Sequence, residues 1–126
     1  MSQEAPGIVV VVRSIDPVEL HHLVDLYFGD MVKIVVDVRR RVVAVGGELQ
    51  ADAEQVLLAQ TSAQADLWGA NDYPGRGPDG CIEYTALINI RPSQGNRSME
   101  LQDAETRRAV REIIHALIGR GEEVRR

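Results

Sequence analysis

The sequence predicts a single α+β domain: a sheet of about four mostly antiparallel or mixed strands, helices mainly on one face, in the order β-α-β-β-α-β-α. Three observations predict it. Gly7–Arg13, Met31–Val38 and Val42–Val45 are rich in β-branched residues and have strand lengths without a helical period. Two of these runs are separated only by Arg39-Arg40-Arg41, the layout of a hairpin. Apolar stripes at helical spacing follow Asp16-Pro17 and Asp103.

The elements follow in order. Met1–Pro6 reads as a loose tail, and Gly7–Arg13 as a buried strand. In Asp16-Pro17-Val18-Glu19 the aspartate caps, proline takes the first helical position and glutamate closes a capping box. Leu20, Leu23, Val24 and Tyr27 form the buried stripe, and Gly29 stops the helix. After the hairpin, Gly46-Gly47 breaks the chain. Asp52 with Gln55 predicts a capped short helix burying Ala53, Val56, Leu57 and Gln60.

Thr61–Gly80 carries turn signals throughout and is expected to be irregular. Cys81–Ile90 alternates, which predicts a half-buried strand with Ile82, Tyr84, Ala86, Ile88 and Ile90 inward and Glu83 and Thr85 outward. Asp103 caps the last helix, whose core stripe is Val110, Ile113, Ile114, Leu117 and Ile118, and Gly121–Arg126 is a charged tail. The chain is read as one domain, 1–126, with a core at about 31–119. Residues 1–29 form a candidate N-terminal β-α addition with its seam at Gly29-Asp30.

Composition narrows the function classes. A chain of 126 residues can bury a real core, and with one Trp, one Phe and three Tyr that core is built from Val, Ile and Leu. A net charge of −5 argues against a general nucleic-acid coat, which needs a basic face. Cys81 is the single cysteine, so an internal disulfide and a cysteine zinc cluster are excluded. No secretory leader pattern is present, and no apolar run approaches the ~20 residues of a membrane span. The expectation is a cytoplasmic, prokaryotic protein that does not enter membranes.

The densest polar stretch is the loop after Ile90. Arg91 and Arg97 offer two-pronged donors for phosphate or carboxylate, Ser93, Asn96, Ser98 and Glu100 add partners, and Gly95 permits close backbone approach. These six side chains are the candidate ligand-binding set, for a small anion. The competing reading is a structural clasp in which Pro92 and Gly95 set angles and Arg pairs with Glu100. No serine has a base nearby in sequence, so no catalytic residue is assigned. Asp66, Asp72 and Glu83, beside the turn-rich segment, form a candidate site for a divalent cation, calcium or magnesium. The competing reading there is a solvated acidic face.

Two literal motif matches fail on context. Gly75-x-Gly77-x-x-Gly80 follows a loop and precedes a strand, whereas a dinucleotide fingerprint follows a strand and opens a helix. Asn96-Arg97-Ser98 is a glycosylation triplet that matters only in a secreted chain.

Three stretches in one order, GGELQADAEQVLL (46–58), DLWGANDYP (66–74) and LINIRPSQGNRSMELQD (87–103), resemble a small prokaryotic family known only as a domain of unknown function. The resemblance spans about Met31–Gly119. It implies a compact cytoplasmic α+β domain and brings no activity to carry over. Asp52, Glu54, Trp68, Asn71, Asn89, Arg91, Asn96 and Arg97 are the polar and aromatic positions within it. The functional expectation is an anion- or polar-ligand-binding module using the 91–100 loop. A divalent-cation domain and a homodimeric interaction protein stand as alternatives.

Overall fold

A computed structural model describes residues 7–122. The tails expected at Met1–Pro6 and beyond residue 122 lie outside the described residues. The fold is one α+β domain built on a five-stranded antiparallel sheet in the order β1-β3-β2-β4-β5. The strands are β1 (Ile8–Val11), β2 (Val32–Asp37), β3 (Val42–Gly46), β4 (Leu67–Asp72) and β5 (Ile82–Glu83). The helices are α1 (Pro17–Tyr27), α2 (Gln50–Ala59), a one-turn α3 (Gly77–Gly80) and α4 (Ala104–Leu117).

Strand β3 is apolar on both faces and β2 on one, with Lys33 and Asp37 flanking Val35 on its other, and both faces of the sheet are covered. Helices α1 and α4 pack on one face, where Leu20, Leu23, Val110, Ile113 and Ile114 meet Val32, Ile34, Val36, Val43, Val45 and Trp68. Helix α2 covers most of the other, with Ala53, Val56 and Leu57 against Val35, Val42, Ala44 and Leu67, and Ile88 packs beside them. The first β-α unit is part of this body: β1 pairs with β3 from Ile8 to Val11, and Leu23 and Val24 of α1 lie in the main core.

Local signals act where they were expected at three points. Asp16 accepts from the Val18 amide at 2.7 Å. Asp103 accepts from the Thr106 amide and hydroxyl at 2.9 and 2.7 Å. The hairpin closes at Asp37, which accepts from the Arg39 and Arg40 amides, and Arg41 takes the left-handed φ of 58°. Helix α2 differs: it begins at Gln50 after Leu49 and has no side-chain cap, so Asp52 sits inside its first turn.

The larger difference is a strand count of five rather than four. β4 lies in the stretch expected to be irregular, and all six of its residues are buried. Its Gly, Asn and Asp are poor strand formers by themselves. Pairing with β2 along its whole length outweighs that preference. Gly69 is required at its centre, because a Cβ there would sit 2.5 Å from the Ala86 Cβ.

The expected strand Cys81–Ile90 is correspondingly short. Its alternation persists through Ala86, which is buried, and then a 3-10 turn at Leu87–Asn89 ends it. Leu87 still points outward at 70% exposure, but Asn89 is 0% and Ile90 44% exposed, the reverse of a continuing strand with even residues inward. The cause is Asn89. Its amide accepts from the Gly69 N–H at 2.8 Å and donates to the Gly69 carbonyl at 3.0 Å, standing in for the strand that would flank β4 there.

Candidate functional site

The polar loop is built inward. Arg91 is 9% exposed and lies over the Trp68 ring at 4.5 Å. Its guanidinium donates to the carbonyls of Ile88 and Gln64 at 3.0 and 2.8 Å, to Gln94 Oε1 at 3.3 Å, and to the Leu67 carbonyl. Glu54 of α2, also buried, is 3.8 Å from the same guanidinium. Burial lowers the Arg91 pKa and Glu54 opposes that shift. An external anion would have to displace the buried Leu67 carbonyl and the part-buried Ile88 and Gln64 carbonyls, and a buried acceptor left unpaired costs ~1–3 kcal/mol.

Asn96 is held the same way. Its Nδ2 donates to the carbonyls of Asn89, Ser98 and Glu100, and its Oδ1 accepts from the Gln102 amide at 2.9 Å. Arg91 and Asn96 also pair through their backbones, with Gly95 at a left-handed φ of 78° closing the turn. Ser98 Oγ accepts from the Glu100 amide. Ser93 and Arg97 are exposed, and Arg97 has no side-chain partner among the described residues. Of the six predicted ligand residues, the structure thus brings Arg91, Asn96, Ser98 and Glu100 together as a hydrogen-bonded loop. Ser93 and Arg97 face solvent.

Between this loop and the start of α4 lies a hollow of about 600 Å³, lined by Trp68, Gln94, Gly95, Asn96, Asp103 and Thr106 among others. None of its described lining residues is cationic. Asp103 contributes a carboxylate whose pKa is held down by the Thr106 hydroxyl and amide.

The three acidic candidates are spread apart. Asp66 precedes β4 and Asp72 ends it, a separation on the order of 20 Å along an extended strand. Glu83 pairs across from Asn71, so its side chain lies on the opposite face from that of Asp72. It accepts from Asn71 Nδ2 at 2.7 Å and the Tyr73 hydroxyl at 3.3 Å. Asp72 is 2% exposed, and its Oδ1 has no hydrogen-bond partner among the described residues. Burial, and then the charge of Glu122, raise its pKa to about 7. Among the described residues no three His, Cys, Asp or Glu side chains are grouped to hold a metal ion.

A different surface collects cations. One side of α4 presents Arg107, Arg108 and Arg111, with Arg111 one turn on from both of the others at i+4 and i+3. They line a groove of about 410 Å³ whose opposite wall is Tyr84, Ile82 and Pro78. Arg107 stacks on the Tyr84 ring at 4.2 Å and pairs with Glu100 at 3.1 Å. Arg111 meets Asp79 at 3.5 Å, and that carboxylate is 94% exposed. Arg108 has no side-chain partner among the described residues. Farther along the same side of the helix, His115 has a buried Nε2 without a partner; burial lowers its pKa, as do Arg111 and Arg120.

The stretches 46–58, 66–74 and 87–103 interlock: Glu54 with Arg91, Gln50 with Asn71 at 2.8 Å, and Asn89 with Gly69. A family model described as protein of unknown function (DUF5674) matches residues 9–117. The chain belongs to this family. Neither a curated protein nor a solved structure matches it.

In this DUF5674 domain, two sets of residues escape sequence reasoning. Glu54 is written as one more helical carboxylate, and nothing local marks it as the partner of Arg91. The α4 arginines are visible as a spacing, but Tyr84 opposite them comes from the strand side of the loop and is brought there only by the fold.

Proposed function

We propose that this DUF5674 domain binds a small anionic ligand in the groove between Tyr84 and the arginine face of α4. The 91–100 loop serves as the clasp that positions the groove's wall. The observation that carries this reading is the state of the arginines. Arg107 and Arg111 pair with surface carboxylates, Glu100 and Asp79, Arg107 also donating to the Leu101 carbonyl at 3.2 Å, and Arg108 has no partner among the described residues. Exchanging a surface ion pair for a ligand oxyanion costs at most about 1 kcal/mol. Exchanging the partners of Arg91 costs several times that, because it leaves a buried carbonyl at Leu67, part-buried ones at Ile88 and Gln64, and the buried Glu54 without their donor. Guanidinium groups also offer the paired donors that phosphate and carboxylate accept.

Glu100 extends the connection to the loop, since it pairs with Arg107 while its own carbonyl is held by Asn96. A reducing cytoplasmic setting fits a chain whose single cysteine is buried and has no second cysteine to pair with. No described helix is long and apolar enough to cross a membrane.

Titration of the full chain with inorganic phosphate at low ionic strength tests the reading. Saturable binding that weakens in Arg108→Ala and Arg111→Ala, and in added salt, is expected. No binding by the wild type contradicts it.

A further inference from the structure

The sheet face that α2 covers has a second, unrelated recess. α2 lies over β2, β3 and the start of β4, and the irregular 85–99 segment covers the rest. Between them is a cleft of about 270 Å³. Three of the chain's exposed large apolar side chains stand around it: Leu49 at 55%, Leu87 at 70% and Met99 at 40% exposure. Isolated exposed apolar residues need no explanation, but three converging on one concavity do. The recess is maintained by packing. Gly69 leaves room for Ala86, Ile88 and Gln50 to meet over β4, and a side chain there would displace them.

Its polar end is asymmetric. Gln50 donates to Asn71, and Asn71 donates to Glu83, its cross-strand neighbour on β5, so the one carboxylate near the floor is already held by an amide. Lys33, the cross-strand partner of Asn71, stands on the side away from Glu83 and also lines the cleft. Its ammonium rests over the Phe28 ring at 5.3 Å and has no carboxylate partner among the described residues. An apolar-walled pocket with one uncompensated cation at its end complements one ligand class.

We infer that this cleft binds a small monocarboxylate with an apolar body, its tail among Leu49, Leu87 and Met99 and its carboxylate on Lys33. The site lies on the opposite side of the sheet from the α4 groove, so it stands or falls independently of the anion reading there.

Octanoate is the probe, with acetate and 1-octanol as controls, titrated into the full-length chain and followed by calorimetry and backbone amide shifts. Octanoate is expected to bind saturably with shifts at Lys33, Leu49, Leu87 and Met99, while acetate binds far more weakly. Lys33→Gln should weaken octanoate by roughly tenfold, the loss expected of one charge-assisted hydrogen bond, and leave 1-octanol unaffected. Leu87→Ser, at a solvent-facing position, should weaken both and leave the thermal melt in place. Equal binding of octanoate and 1-octanol with no effect of Lys33→Gln overturns the assignment, as does absence of saturable binding. A wild-type dimer in sedimentation velocity that Leu87→Ser dissociates also overturns it, since the cleft is then covered by a second copy.

Discussion

Arg91 and the arginines of α4 carry the same side chain into opposite environments. Arg91 is 9% exposed, lies over the Trp68 ring, gives its donors to carbonyls of the 64–67 stretch and of Ile88, and faces Glu54 of a third segment. Arg107 and Arg111 are 37% and 48% exposed and pair with carboxylates that are themselves largely in water. The first arrangement ties three segments of sequence into one body. The second leaves charge available. The difference teaches that the number of donors is a poor guide to a binding site: what decides is how much the present partners would lose on release.

The contrast can be broken most severely at Arg91. Arg91→Ala strips the partner from buried Glu54 and leaves the Gln64 and Leu67 carbonyls unpaired, so a loss of about 3–5 kcal/mol is expected in urea unfolding. Arg91→Lys should recover little of it, because a single ammonium cannot reproduce the fork. A loss under about 1 kcal/mol would place Arg91 with the surface arginines.

Asp72 sharpens the same point from the acidic side. Its pKa is about 7 in the folded chain, raised from 3.8 by burial and then by Glu122. Between those values the folded state keeps a proton that the unfolded chain releases, so stability falls as pH rises from about 4 to 7. The three-unit gap sets a ceiling of about 4 kcal/mol for this decline. Asp72→Asn should flatten that part of the stability–pH curve, and an unchanged slope would show that the carboxylate is not held protonated.

A smaller effect is expected at Asp103, which caps α4 just before its arginines. Asp103→Ala should cost about 1 kcal/mol in thermal or chemical unfolding. Because the pKa of Asp103 is lowered in the fold, its contribution is present at neutral pH and fades as pH falls below the ordinary carboxylate range. The smallest effect on stability belongs to Arg108→Ala and Arg111→Ala, within about 1 kcal/mol of wild type.

Much of the fold is legible in the sequence because it rests on local chemistry. Asp16-Pro17 and Asp103 cap their helices, the β-branched runs form β1 to β3, and the Val110–Ile118 stripe faces the core. β4 is not legible. Leu67-Trp68-Gly69-Ala70-Asn71-Asp72 has Trp68 as its one strong strand former, and it is held by β2 on one side and by β5 and the Asn89 side chain on the other. The same applies to the site. The loop's wealth of donors is plain in Arg91, Asn96 and Ser98. That most of these donors are internally occupied depends on Glu54, Gln64 and Leu67, which lie far away in sequence.

The two arginine environments can be separated in one titration. Adding inorganic phosphate to the isotope-labelled full chain, with backbone and arginine side-chain resonances followed together, should move Tyr84, Arg107, Arg108 and Arg111 along one saturable curve. Arg91 and Asn96 should stay in place. Saturable shifts centred on Arg91, Ser93 and Arg97, with α4 unmoved, would make the loop the binding site and contradict the account.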